Sequence, residues 1–319
     1  MDTMVKKADL ITFGQRKWTN RDKYMAAFFI FLHFICILAP FHFNWNAFWV
    51  AFALYIITGC FGITISYHRN LSHRSFRLPK WLEYFFAYCG ALAFQGDPID
   101  WVSTHRCHHQ FVDTENDPHS PIQGFWFSYF IWILDSNALT RRVCPQYFID
   151  HKDTEKTIFT VVLKYGRPNN VGDLEKQFFY RFLRKTYFLH QLALAILLYA
   201  VGGTPFLIWG AFVRTIGTIH VTFMVNSICH TFGNQPWNTG DLSRNTWWMC
   251  LISFGEGWHN NHHAFEYSAR QGLEWWQIDI SWYIIWFLQV IGLATEVKVP
   301  SQSHKQRLQA LDQTKRKGL

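Results

Sequence analysis

The chain has 319 residues, half of them hydrophobic and 19% aromatic, and carries a net charge of +8. Its mean hydropathy is close to zero, −0.03, so a substantial polar portion must accompany any membrane helices. The basic excess suits an anionic membrane surface or an anionic head group, and apolar stretches of spanning length argue against a nucleic-acid partner.

Residues 1–23 form a polar, basic segment with neither a secretory cleavage pattern nor a Ser/Arg-rich leader. Residues 24–43 and 45–67 are apolar, and each matches the roughly 20 residues a helix needs to cross a bilayer. The connection between them, FHFNWN, is short enough only for a tight turn, which predicts a helical hairpin. A third apolar stretch, 187–204, ends at Gly202-Gly203-Thr204-Pro205, a helix-breaking run. A fourth covers 206–230. The pattern predicts an all-α integral membrane protein with four spans in two hairpins, a membrane domain over 24–294 and a basic tail over 295–319.

Charge orients these spans. Lys and Arg number six before Tyr24, fifteen between His68 and Thr186 and eight after His230, with none in either short turn. By the positive-inside rule both termini and the long middle segment are cytosolic. Arg214, alone within the fourth stretch, is expected to snorkel towards the far interface. Trp81 to Phe94, Gly124 to Leu134 and Trp275 to Leu293 are too short or too interrupted to span, and are expected to lie against the bilayer or in a cytosolic domain. The seven cysteines, Cys36, Cys60, Cys89, Cys107, Cys144, Cys229 and Cys250, contain no CxxC pair and predict no disulfide framework.

Nine histidines carry the chemistry: His68 and His73 in HRNLSH, His105, His108 and His109 in HRCHH, His230 in NSICH, and His259, His262 and His263 in HNNHH. Imidazole is the commonest protein metal ligand, and spacings of three and four place side chains on one helical face. Asn226 and His230 share a face in the same way. His68 and His73, five apart, point away from each other on an ideal α-helix, so a break or turn is expected between them, where Asn70 and Ser72 would tolerate one. The charge-based topology independently brings all nine to the cytosolic side. Nine imidazoles exceed what one tetrahedral ion takes, so two metals are expected. All-nitrogen ligation suits zinc, copper, nickel or iron, and redox work would exclude zinc. His33, His42, His151, His190, His220 and His304 read as ordinary surface or core residues. His119, near Asp117, reads as a loop or supporting element rather than a ligand.

The motifs YHRNLSHRSF, AFQGDPIDWVSTHRCHHQF, ENDPHSP, VNSICHTFG and GEGWHNNHHAFEYSAR, in this order, resemble the membrane fatty-acyl desaturase family, stearoyl-CoA desaturase-like branch. The wording, including GRPNNV, is most similar to the plant delta-9 acyl desaturase group. The resemblance implies four membrane helices capped by a cytosolic helical domain, with a di-iron site between them. It implies that the nine histidines bind two iron ions and that Asn226 reaches one through water. It also implies an O2-dependent reaction that leaves a cis double bond, the delta-9 one, in an acyl-CoA or acyl-lipid chain. Electrons would come from cytochrome b5 and NADH-cytochrome b5 reductase. Trp101 matches a substrate-contacting position of the family. Phe52, Tyr55, Ile56 and Gly59, at helical spacing above His68, are expected to form part of a tunnel floor.

Several positions depart from the family pattern. Ser103 and Thr104 replace the Arg-Asp pair with which animal members hold coenzyme A, and Gly96 replaces an Asn. Tyr129 and Ile131 replace the His and Gly of an FSHxGW pattern. No haem-binding HPGG motif follows Leu293, which implies a separate electron donor. The tail Lys315-Arg316-Lys317-Gly318-Leu319 resembles a dilysine retrieval signal, so the endoplasmic reticulum membrane is expected rather than a plastid membrane. A histidine-scaffold lipid hydroxylase and a membrane metal transporter are the rival readings. Against the transporter, no span carries paired intramembrane carboxylates.

Overall fold

A computed structural model describes residues 18–135 and 170–317, with side chains through residue 310. His151, Cys144, most of the GRPNNV segment and the end of the basic tail lie outside the described residues. Every regular element among the described residues is helical, and β-type pairing is confined to isolated bridges such as Arg77 with Thr295.

Helix α1 covers Asn20–Cys36. It starts at a capping box in which Thr19 Oγ1 accepts from Asp22 N (3.2 Å) and Asp22 Oδ2 accepts from Thr19 N (3.0 Å), satisfying two otherwise free donors. A single 3₁₀ turn, Ala39–His42, connects it to α2. Asn44 caps α2 by accepting from Ala47 N at 2.8 Å.

Among the described residues, two helices are long and apolar enough to cross a membrane: α2, Trp45–Ser72, and the stretch Phe178–Ile228. The second is broken at Gly203 (φ 62°, ψ −155°), just before Pro205, where the Gly-Gly-Thr-Pro run predicts a break. It therefore comprises α6 (Phe178–Phe206), a π-helical segment Leu207–Val213 and α7 (Arg214–Ile228). Helices α1, α2 and α6 all pack on Leu207–Val213.

The remaining α-helices of five or more residues, in chain order, are α3 (Lys80–Ala91), α4 (Pro98–Phe111), α5 (Phe125–Tyr129), α8 (Trp247–Ile252), α9 (His259–Ala264), α10 (Ile280–Val290) and α11 (Gln302–Lys317). The three shorter apolar segments of the sequence correspond to α3, to α5 with the turn Ile131–Leu134, and to α10. Helix α3 buries Leu82, Phe86 and Ala87 but exposes Trp81 and Phe85, and α10 buries Ile285 and Leu288 but exposes Trp286 and Phe287. Such apolar outer faces suit helices lying against a bilayer. Helices α2 and α3 cross where two glycines allow it. A Cβ on Gly62 would lie 2.4 Å from Gly90 N, and one on Gly90 would lie 2.5 Å from the Tyr67 ring.

Arg214 corrects the expectation of snorkelling. It is buried, with Nε donating to Gly210 O (3.0 Å) and Nη1 to Leu92 O (2.7 Å). Helix α3 ends beside it, so two main-chain carbonyls receive the guanidinium inside the protein.

Candidate metal centre

Four elements converge on one region. Helix α2 carries His68 in its last turns, with His73 at its C-cap; α4 supplies His105, His108 and His109; His230 follows α7; and α9 supplies His259, His262 and His263. Helix α4 is held at its start by Asp97, whose Oδ1 accepts from Ile99 N and Asp100 N, so its HxxHH face is rigidly aimed.

The break expected between His68 and His73 is absent. From Ile56 to Ser72 helix α2 is a π-helix, and His73 N donates to His68 O at 3.2 Å. Hydrogen bonds that span five residues bring side chains five apart onto one face, and the two imidazole centroids are 4.9 Å apart.

The nine histidines form two groups: His68, His73, His105, His109 and His262 in one, and His108, His230, His259 and His263 in the other. Within the groups, Nε2 atoms face one another. The separations are 2.8 Å for His73–His105, 3.1 Å for His68–His262, 3.0 Å for His109–His262, 3.0 Å for His230–His259 and 3.1 Å for His259–His263.

Hydrogen bonds between imidazoles cannot account for this. His230 Nδ1 lies 3.1 Å from an Asp113 carboxylate oxygen and His263 Nδ1 lies 3.0 Å from Asp241. A carboxylate only accepts, so each Nδ1 carries the proton and, in the neutral ring, each Nε2 presents a lone pair. Both lone pairs face His259 Nε2, which has at most one proton to give. The same conflict recurs around His262, which faces His68 and His109, whose Nδ1 atoms lie 2.6 Å from Glu256 and 3.3 Å from Glu266. His108 Nδ1 is 3.0 Å from Asp117, and its Nε2 is buried with no hydrogen-bond partner. A cation at each focus resolves all of these. Metal–imidazole bonds of about 2.1 Å give edges of about 3.0 Å in octahedral and about 3.4 Å in tetrahedral coordination. The separations are of the size of such edges, so each group could hold one ion.

Protonation agrees with ligation. Burial first, and then the neighbouring imidazoles, hold His73, His105, His259, His262 and His263 well below the usual histidine range. Burial likewise lowers His108. Burial alone would raise Glu256, but His68 and Arg69 beside it hold its carboxyl at about 2.

An apolar cavity of about 60 Å³ meets both groups. Its walls include His68 and His105 of one group, His108 and His259 of the other, and Asn226. Trp101 lines it, with its ring stacked on His105 at 5.2 Å, and so do Tyr55 and Gly59. Phe52 and Ile56, expected in the same wall, are not there. Phe52 faces outward on the α-helical part of α2, while Ile56 packs into the core cluster with Phe76 and Leu82. The wider helical turn carries the cavity stripe through Tyr55, Gly59, Ile63, Thr64 and His68 instead.

Sequence reasoning missed the carboxylates Asp113, Asp241, Glu256 and Glu266, which sit in loops or beside ligands with no periodic signature. It placed Asp117 near His119, and the structure aims Asp117 at His108. The His119 ring lies tilted against His108 with centroids 4.4 Å apart, and its Nδ1 is 3.7 Å from Asp117. Tyr129 lies away from the cavity wall and bonds His220 Nδ1 at 2.7 Å, and His220 Nε2 in turn faces His33 Nε2 at 2.9 Å.

Comparison with known proteins adds an independent finding. The family described as fatty acid desaturase matches residues 44–286. The chain belongs to this family. It is 57% identical over 307 residues to the palmitoyl-monogalactosyldiacylglycerol delta-7 desaturase, chloroplastic, of Arabidopsis thaliana, covering 96% of this chain and 77% of the relative. It is 54% identical to the acyl-CoA C20 Delta5-desaturase of Anemone leveillei, over 92% of this chain and 87% of the relative. It is also 54% identical to delta-9 acyl-lipid desaturase 1 of Arabidopsis thaliana, over 92% and 89% respectively. Family membership makes the chain an oxidoreductase of lipid metabolism, and its histidine groups are able to bind metal.

Proposed function

We propose that this protein is a membrane desaturase that uses O2 to place a cis double bond, at the delta-9 position, in a saturated acyl-CoA. The observation that carries the reading is the apolar cavity that ends on both histidine groups at once. An alkyl chain offers no polar handle, so only a shaped apolar slot can present chosen carbons to a reactive centre. We assign His68, His73, His105, His109 and His262 to one iron, and His108, His230, His259 and His263, with Asn226 through water, to the other. Iron bound there would activate dioxygen for removal of two hydrogens from adjacent carbons. One dioxygen, two electrons, two protons and the two hydrogens taken from the chain would leave as two waters for each double bond formed.

The protein's own residues position and protect. Tyr55, Gly59 and Trp101 line the slot and exclude water. Glu256, Asp113, Asp117 and Asp241 fix the imidazole tautomers, and such outer partners orient ligands. Cytochrome b5 and its NADH-linked reductase are the electron source in this reading. The four spans 24–43, 45–67, 187–204 and 206–230 would hold the protein in the endoplasmic reticulum membrane with both termini cytosolic.

A second reading, a chain esterified to a glycerolipid, is favoured by Ser103 and Thr104. Ser103 is buried and donates to Asn170 Oδ1 at 3.0 Å, while Thr104 donates to Asp100 O at 2.9 Å. Neither offers a charge to a coenzyme A phosphate. The test is fatty-acid profiling of a desaturase-deficient host by lipid class, with double-bond positions mapped. New unsaturation appearing first in acyl-CoA supports the first reading, and unsaturation appearing first in a glycerolipid supports the second.

A further inference from the structure

Five described non-glycine residues have a positive φ, and of these only Phe254 (φ 57°) lines the cavity. Bulky side chains rarely hold this conformation, which persists only where the surroundings impose it. Here they do. Phe254 O accepts from both Ser281 N (3.0 Å) and Ser281 Oγ (2.9 Å). Gly255 follows at φ 111°, where a Cβ would lie 2.4 Å from Asp279 Oδ1. Two residues upstream, Ile252 O accepts from Tyr55 OH. The loop is therefore fastened at both ends, which fixes the point from which the Phe254 side chain leaves the main chain.

That ring closes on α2. It lies 5.2 Å from the Tyr55 ring, and a Cβ on Gly59 would sit 3.1 Å from Phe254 Cε2 and 3.8 Å from Thr218 Cγ2. Gly59 is thus the open point of a pinch between Phe254 and α7. It precedes His68 by nine residues, so the pinch lies at most about 13 Å along the helix from that ligand. An alkyl chain entering past the histidines meets this ring before it can extend further.

We propose that Phe254 is a specificity-determining residue, a fixed stop that limits how much of an acyl chain extends beyond the metal centre. The proposal rests on the desaturase reading of this site. Because the loop that carries it is fastened and the ring packs against Tyr55 and the core cluster, it acts as a wall and not as a gate. Phe254 also packs in the core cluster that contains Phe76, so a change there could act through stability alone, and the test includes a control for that.

Full-length wild type, Phe254→Ala, Phe254→Leu and the core control Phe76→Leu would be expressed in a desaturase-deficient host fed saturated fatty acids of graded length. Product chain lengths and the iron content of the purified proteins would be measured. One methylene in an apolar pocket is worth roughly 10-fold in discrimination. The ratio of longer to shorter unsaturated products is therefore expected to rise about 10-fold or more in Phe254→Ala, with a smaller rise in Phe254→Leu and none in Phe76→Leu. Should Phe254→Ala not accumulate, the Phe254→Leu result decides. A wild-type length profile in iron-loaded Phe254 variants overturns the proposal, as does an equal shift in Phe76→Leu. If the wild type makes no unsaturated product at all, the desaturase reading falls and the proposal falls with it.

Discussion

Glu256 Oε2 lies 2.6 Å from His68 Nδ1, while Oε1 of the same carboxylate accepts from Arg69 Nε at 3.0 Å. Arg69 is in turn buried against Asp279 at 2.9 Å. One side chain thus fixes a ligand's tautomer and neutralises a buried cation.

Removing only its charge should weaken metal binding. In Glu256→Gln, iron affinity is expected to fall roughly 10- to 100-fold, read by competition against a chelator. Glu256→Ala additionally strips a partner from buried Arg69 and should cost about 3–5 kcal/mol of stability, read as a lower unfolding midpoint. Unchanged iron affinity in Glu256→Gln would mean that the carboxylate plays no part in holding His68.

The α2–α3 crossing gives a prediction about stability. Gly62→Ala places a methyl 2.4 Å from Gly90 N, which is main chain and cannot swing aside. Overpacking of this kind costs about 1–3 kcal/mol, and it displaces the helix that carries His68. The variant should show a lower thermal midpoint and reduced iron content. Gly217→Ala, where an added Cβ meets nothing within 4 Å, should behave as wild type.

Acid stability should depend on Asp173. Its carboxylate pairs with Arg106 (2.9 Å) and Arg74 (2.7 Å). Burial would raise it, but those two guanidinium groups hold it at about 2. A carboxyl lowered on folding adds stability above its unfolded value of about 3.9, and that contribution is lost as pH falls towards 2. Asp173→Asn should therefore lower the thermal midpoint at pH 6 by a few degrees, about 2–4 °C at most, because a third of the side chain is exposed and screened. The two proteins should converge near pH 2. A gap that stays constant down to pH 2 would contradict the pairing.

Much of the site was legible because helical periodicity is a local property. In HRCHH and HNNHH, offsets of three and four put each cluster on one face whatever the rest of the chain does. The helix break at Gly203 was legible for the same reason. The His68–His73 pair was not, because its spacing has meaning only once α2 is known to be a π-helix, and nothing in IITGCFGITISYHRNLS marks that wider turn. The same widening moved Ile56 off the cavity wall. Asp113, Asp241 and Glu256 were hidden because they reach their histidines across loops, a tertiary relationship that spacing does not encode. Arg214 was misjudged because the carbonyl of Leu92 that receives it belongs to another helix.

The most direct test of the central claim is double-bond mapping together with iron analysis on wild type, His105→Ala and His262→Ala, each expressed in a host without its own desaturase. The wild type should hold two irons per chain and produce cis-monounsaturated acyl chains. Both variants should lose the product, along with iron from the five-histidine group, and retain about one iron. Full double-bond formation in either variant, or an iron-loaded wild type that forms no double bond when supplied with electrons and oxygen, would contradict the account.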